Sequence, residues 1–243
     1  MTQTCRYPCY KQYRTAFKEK PVLHQPIKLI FFDMDGVLAD TLSSWRYIHD
    51  HFETTNHHSV EEYLKGNIDD LEFIRRDVSL WHHNGRLTSQ QHIKQILDEI
   101  PVMQGAQTLF QFLQKHQIQT AIISAGLDIL AKRIATILNI DYFYANGIKH
   151  DTQGKLTGDG ILNVQLKYKD KNVQDLLQKT GIPAASCAAV GNSCFDLPML
   201  TSCGISIAFN PTDTCVQDAA DIVVKGKDLT TLITHLKPLI QQL

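Results

Sequence analysis

The sequence predicts an α/β protein in which helices flank an open parallel sheet, with a small helical unit inserted after the first strand and a β-hairpin in the core. Three observations carry that expectation. An unbroken apolar run, Leu29-Ile30-Phe31-Phe32, ends abruptly in Asp33-Met34-Asp35-Gly36. Further short apolar runs recur downstream, separated by segments whose apolar residues fall at helical spacing. Between the first run and the rest, residues 41–97 show helical patterning and no strand of comparable quality.

The first run suits a strand buried on both faces of a parallel sheet. Ligands in such sheets gather at the C-terminal strand ends, where Asp33 and Asp35 fall. Residues two apart share one face of an extended segment, and Gly36 suggests that the chain is already turning. Two neighbouring carboxylates repel unless a cation or a shared proton relieves them. A catalytic pair, a calcium loop and a helix cap all remain open at this point. Ahead of the strand, residues 1–26 lack clear periodicity and are fenced off by Pro21 and Pro26, which suggests an N-terminal arm.

The insert carries Trp45, Ile48, His49 and Phe52, then Tyr63-Leu64, then Leu71, Phe73, Ile74, Val78, Leu80 and Trp81. It is too long for an ordinary connection. A cap domain over residues 41–97, seated above the carboxylates, accounts for it and divides the core into 27–40 and 98–243. Trp45 and Trp81 either pack the cap or face the pocket. His57-His58 and His82-His83 lack ligand spacing and read as solvated or core-edge residues.

The core resumes with a helix carrying Leu109, Phe110 and Leu113. Thr120-Ala121-Ile122-Ile123 is a buried strand ending at Ser124-Ala125-Gly126. A helix with Ile134 and Leu138 leads to a strand at Tyr142-Phe143-Tyr144-Ala145. Residues 148–164 read as a hairpin turning around Asp151-Thr152-Gln153-Gly154. A helix from Lys171 precedes the strand Ala188-Ala189-Val190, which ends at Gly191-Asn192-Ser193. Ile205-Ser206-Ile207-Ala208 and Ile222-Val223-Val224 are further strands, and Asp228 can cap the last helix. Alternating strands and helices of this kind build an open, Rossmann-like parallel sheet.

Composition narrows the function. The 243 residues carry 24 basic and 25 acidic side chains, a net charge of -1, with no long basic block to bind nucleic acid. No apolar run is long enough to span a bilayer. The N-terminal residues lack the apolar stretch of a secretion signal, so a cytoplasmic location is expected. The six cysteines are then expected to be free thiols. Cys5 and Cys9 have no second pair with metal-site spacing. A dinucleotide-binding glycine motif and a nucleotide phosphate loop are both absent. A homodimer is compatible with the sequence.

Three strand ends thus carry polar groups: Asp33 with Asp35, Ser124, and Asn192 with Asp196. Lys167, Lys169 and Lys171 precede the helix leading to the last of them. Carboxylates, a hydroxyl, a cation and an oxygen-rich metal position are what phosphoryl transfer needs, and a carboxylate can accept the phosphoryl group covalently. The set Asp33-Met34-Asp35-Gly36-Val37, Ser124, the lysines near 171 and Gly191-Asn192-Ser193-Cys194-Phe195-Asp196 resembles the haloacid dehalogenase (HAD) superfamily. It is similar in particular to the phosphoserine-phosphatase-like branch, as are the stretches 151–158 and 204–210.

That resemblance implies a Mg2+-dependent phosphomonoester hydrolase acting on a small phosphorylated metabolite, phosphoserine or a related small anionic phosphate. Asp33 would be the nucleophile and Asp35 the acid and base. Ser124 and the Ala125 N–H would hold phosphoryl oxygens, and Lys171, with Lys169 as the alternative, would neutralise charge. Asp33, Asp35, Asn192 and Asp196 would form the metal position. Family dehalogenases lack the second carboxylate, so Asp35 favours phosphoryl chemistry. Two departures stand out. Asn192 occupies a position that is an aspartate in the family, and its amide brings no charge to a metal. Leu42 stands where phosphoserine phosphatases carry the glutamate that meets the substrate amine, with Asp40 the nearest carboxylate. Arg75 corresponds to the cap arginine that meets the substrate carboxylate, and reads equally as a solvated helix residue. An inactive binding protein on the same scaffold and a phosphotransferase to a small acceptor are the competing expectations. Cys194, if exposed, would make the site sensitive to oxidation.

Overall fold

The computed structural model describes residues 20–23, 25–83 and 85–241. Most of the N-terminal arm, with Cys5 and Cys9, lies outside the described residues. Strand β1 (Leu29–Phe32) is fully buried. The chain then folds back, with the N–H groups of Val37, Leu38 and Ala39 converging on Met34 O. Helices α1 (Ser44–His51), α2 (His57–Lys65) and α3 (Asp70–Ser79) follow. Ser43 and Asp69 cap α1 and α3, their side chains accepting from the N–H of Arg46 and Glu72. A small antiparallel pair, β2 (His82–His83) and β3 (Arg86–Leu87), precedes α4 (Gln90–Asp98). This pair was not expected, because two-residue arms carry no apolar run that could mark them.

The core continues through α5 (Ala106–Lys115), β4 (Gln119–Leu127), α6 (Asp128–Leu138), β5 (Tyr142–His150), β6 (Leu156–Ile161), α7 (Asp170–Thr180) and β7 (Cys187–Gly191). It ends with α8 (Leu197–Thr201), β8 (Ile205–Phe209), α9 (Thr214–Ala219), β9 (Ile222–Val224) and α10 (Thr231–Ile240). Among the described residues no helix is long and apolar enough to cross a membrane.

The large sheet runs β6-β5-β4-β1-β7-β8-β9. Every neighbouring pair is parallel except β5 and β6, so the sheet is mixed. Alternation along β1 supplies both faces of the core. Ile30 and Phe32 join Phe110, Leu113, Ile122 and Ile134 on one side, with the Phe32 and Phe110 rings 5.1 Å apart. Leu29 and Phe31 join Ile123, Val173, Leu176 and Leu197 on the other. The strand expected at residues 142–145 and the first arm of the expected hairpin are one continuous strand, because residues 145–148 stay buried and the chain runs on past a register shift against β4 instead of breaking.

That hairpin also supports the inserted helices. α3 packs against β6, and Ile74 sits so close to Gly160 that a Cβ there would lie 2.2 Å from its Cγ2. The position tolerates no side chain for that reason.

Candidate active site

Register assembles the site. Phe32 pairs with Ile122 on β4 and with Val190 on β7. The next residues along the three parallel strands are therefore Asp33, Ile123-Ser124 and Gly191-Asn192, all at the C-terminal edge. The Asp33 N–H continues the ladder to Val190 O at 2.9 Å. Beyond Asp35 the chain turns through Gly36 at φ 78°, and a Cβ there would lie 2.0 Å from Asn192 Nδ2. Gly36 thus satisfies both a backbone and a space requirement.

A buried ammonium sits at the centre. Lys169 Nζ lies 2.7 Å from Asp33 Oδ1 and 2.6 Å from Asp196 Oδ1. The second Asp196 oxygen accepts from the N–H groups of Asn192 (2.8 Å) and Ser193 (2.9 Å) and from Ser193 Oγ. Lys169 stands at the start of α7, where the turn aims its side chain inward. Lys171, the expected choice, corrects to Lys169. Its Nζ donates to Gln165 Oε1 at 2.6 Å and lies over the Tyr168 ring, on the outside of the same turn. Asp196 corrects as well: with both oxygens engaged and no exposure, it fixes Lys169 and the 192–193 loop rather than offering a metal a ligand.

Asp35 is held by Ser44, a residue that no sequence motif singles out. The N–H and Oγ–H of Ser44 both donate to its Oδ2 at 2.9 Å, while Ser44 Oγ accepts from the Leu127 N–H at 3.1 Å. The other Asp35 oxygen, Oδ1, is buried and unpartnered. Asn192 Nδ2 donates to Asp35 O at 3.2 Å, and Thr212 donates to Asn192 O through its N–H (2.8 Å) and Oγ (3.1 Å). Ser124 is buried, its Oγ accepting from the Gly126 N–H at 3.0 Å. Ala125 O accepts from Trp45 Nε1 (2.9 Å) and from Asn146 Nδ2 (3.2 Å), which fixes the peptide between Ser124 and Gly126. Ser44, Asn146 and Thr212 belong to no local motif and meet the site only through the fold.

Burial raises the Asp33 carboxyl to about 7, with the Asp196 charge adding to the rise and Lys169 opposing it. Burial also raises Asp35, against the two hydrogen bonds from Ser44. Burial alone would lower Lys169, but the charges of Asp196 and Asp33 outweigh it and hold the ammonium protonated. Asp33, Asp35 and Asn192 line the same cavity and are the residues here that could hold a hard cation through oxygen, a use that the unpartnered Asp35 Oδ1 fits.

These groups form the floor of a cavity of about 630 Å³, walled on the insert side by Trp45, His49, Tyr63, Phe73 and Asp77. Trp81 is fully buried, 5.5 Å from the Trp45 ring, so of the two tryptophans only Trp45 lines the cavity. Leu42 lies at the rim, 72% exposed. Arg75 does not line the cavity: α3 turns it outward to Asp159 on β6, Nε to Oδ1 at 2.8 Å. Asp40 is likewise engaged elsewhere, with Lys227 Nζ at 2.6 Å. Cys194 is buried, which removes the basis for easy oxidation.

A strand-end carboxylate pair, a buried lysine and a wall built by inserted helices define a class, and residues 27–204 match the model of the haloacid dehalogenase-like hydrolases. The chain belongs to that family. Within it, the chain is closely related to the phosphoserine phosphatases. It is 35% identical to the Haemophilus influenzae phosphoserine phosphatase over 146 residues, 59% of this chain and 46% of that one. It is 29% identical to the Saccharomyces cerevisiae phosphoserine phosphatase over 215 residues, 86% and 67% of the two chains. The chain thus spans about half the length of the Haemophilus relative. A HAD family hydrolase from Salmonella enterica serovar Typhi shares the fold, with a TM-score of 0.77 at 22% identity over 98% of this chain and 81% of that one.

Replacing Lys169 by Met leaves two buried carboxylates facing each other unpaired, so Lys169→Met should lower unfolding stability by about 3–5 kcal/mol in metal-free buffer. Lys171→Met, on the surface, should stay within about 0.5 kcal/mol. Urea denaturation of both variants measures this, and equal midpoints would contradict the assignment.

Proposed function

We propose that the chain is a Mg2+-dependent phosphomonoester hydrolase that works through an aspartyl phosphate on Asp33, with phosphoserine or a related small anionic phosphate as substrate. The observation that carries this reading is the buried Asp33–Lys169–Asp196 cluster beside Asp35 on the cavity floor. A carboxylate oxygen of Asp33 attacks phosphorus, and the bond from phosphorus to the leaving oxygen breaks. Asp35, whose raised proton affinity suits an acid, protonates that oxygen. Water then gives its proton to Asp35 and attacks the same phosphorus, the bond to Asp33 breaks, and orthophosphate leaves. Lys169 offsets charge on Asp33 and the phosphoryl group, while Ser124 Oγ and the Ala125 N–H hold phosphoryl oxygens. Asp33, Asp35 and Asn192 would hold Mg2+, which would share the negative charge of the phosphoryl oxygens.

For the substrate, the side chains of Leu42, Asp40 and Arg75 are the informative ones. An apolar rim residue cannot pair with an amine, Asp40 is engaged with Lys227, and Arg75 is engaged with Asp159. The usual clamps of an amino acid substrate are therefore missing at these positions, which supports a small anionic phosphate lacking the amine at least as well as phosphoserine. Asn192 is the one feature that favours a binding protein on the same scaffold, because an amide adds no charge to the metal position.

Phosphate release should appear with Mg2+ on a panel containing phosphoserine, phosphoglycolate and sugar phosphates, and should vanish in Asp33→Asn. Phosphoserine should show no more than about a threefold advantage in kcat/KM over phosphoglycolate, since losing a buried ion-pair partner costs a few kcal/mol. No release that depends on Asp33 would favour the binding protein. A large phosphoserine advantage would mean that another wall carboxylate reads the amine.

Protons compete with a metal for Asp33. With Asp33 raised to about 7, Mg2+ affinity should fall as pH drops below about 7 and level off above about 8. Asn192→Asp should strengthen Mg2+ binding roughly tenfold by adding a charged ligand. Calorimetric Mg2+ titrations across pH measure both, and a pH-independent affinity would contradict the ligand role of Asp33.

A further inference from the structure

We propose that Cys194, Asp213 and Cys215 form a second cation site, suited to a thiophilic divalent ion of the Zn2+ class, beneath the loop that carries Asn192. One ligand atom from each of the three, two sulfurs and a carboxylate oxygen, lie within 4.8 Å of one another. Metal–sulfur bonds of about 2.3 Å and metal–oxygen bonds of about 2.0–2.2 Å in a tetrahedral shell put donors about 3.3–3.8 Å apart, within that spread. Both cysteines are buried and neither is in a disulfide, while Asp213 is half-buried, so a fourth position can open toward solvent. This is the only such group of three among the described residues.

The fold presets the arrangement. Asp213 Oδ2 accepts from the Cys194 N–H at 2.8 Å, and Oδ1 accepts from the Val216 N–H at 3.1 Å and lies 2.8 Å from Cys215 Sγ. The carboxylate therefore already faces both sulfurs, held by the backbone of the Cys194 turn and of the first turn of α9, which supply them. Cys187 and Cys203 lie near each other but have no such carboxylate in a three-residue donor group among the described residues: burial pushes the Cys187 thiol up to about 12, and its Sγ–H donates to a backbone carbonyl, Pro183 O. Thiolates select ions of the Zn2+ class over Mg2+, which prefers a shell of oxygens. An ion here would tie the Cys194 turn, directly after Asn192, to the strand-β8 exit loop whose Thr212 holds Asn192 O. The site is chemically distinct from the Asp33–Asp35 position, although the two share a loop.

The test uses the reduced full chain carrying Cys5→Ser and Cys9→Ser, so that the N-terminal thiols cannot contribute. Titration with Co2+ should give a near-ultraviolet sulfur-to-cobalt charge-transfer band that saturates at one equivalent. Equimolar Zn2+ should abolish the band, and a hundredfold excess of Mg2+ should leave it. The band should be lost in Cys215→Ser and in Cys194→Ser, and kept in Cys187→Ser. Circular dichroism checks that each variant is folded. Absence of the band in the parent chain, its removal by Mg2+, or its survival in either folded Cys194 or Cys215 variant would overturn the site. The readout is spectroscopic, so it is independent of phosphatase activity.

Discussion

Taking three carboxylates out of water at one end of a sheet costs several kcal/mol for each ion unless a positive charge goes with them. In this protein that charge is Lys169, bonded at once to Asp33 and Asp196. Its position requires α7 to begin where it does, and α7 to pack through Val173 and Leu176 against the face of the sheet built by Leu29 and Phe31. Asp196 in turn collects the N–H groups of Asn192 and Ser193, so the lysine also fixes the loop after β7. The arrangement of the floor depends on this one ammonium.

The insert contributes what the floor lacks. Ser44, at the start of α1, reaches down to Asp35, and Trp45 reaches down to Ala125. Each contact crosses from the inserted helices to a strand end, so the wall and the floor of the cavity are positioned by the same residues that touch the chemistry. On its far side the insert rests on the β5–β6 hairpin, where Ile74 meets Gly160 and Arg75 meets Asp159. Using Arg75 as a strut removes it from the cavity, and this is the physical reason that specificity here cannot simply be read across from relatives.

Much of this was legible in the sequence. The apolar runs marked β1, β4, β7 and β8 because strands buried on both faces admit few polar residues, and a short apolar run marked the edge strand β9 as well. Asp33, Asp35, Ser124 and Asn192 were legible because each lies at or just beyond the end of such a run. What the sequence hid was direction. Lys169 and Lys171 differ by two residues, and only the geometry of the turn decides which points inward. Arg75 was hidden for the same reason, since its helix could be rotated to face either the cavity or β6. Ser44 and Asn146 carried no signal, because each acts through partners 9 and 21 residues away in the chain.

The central claim is that Asp33, flanked by Lys169, is the phosphoryl acceptor. A crystal structure grown with Mg2+ and beryllofluoride tests it most directly, since that anion mimics a phosphoryl group on a carboxylate. The account predicts beryllium bonded to an Asp33 oxygen, with its fluorines held by Lys169 Nζ, Ser124 Oγ and the Ala125 N–H. An unmodified Asp33 under saturating Mg2+ and beryllofluoride, or an adduct on a different carboxylate, would contradict it.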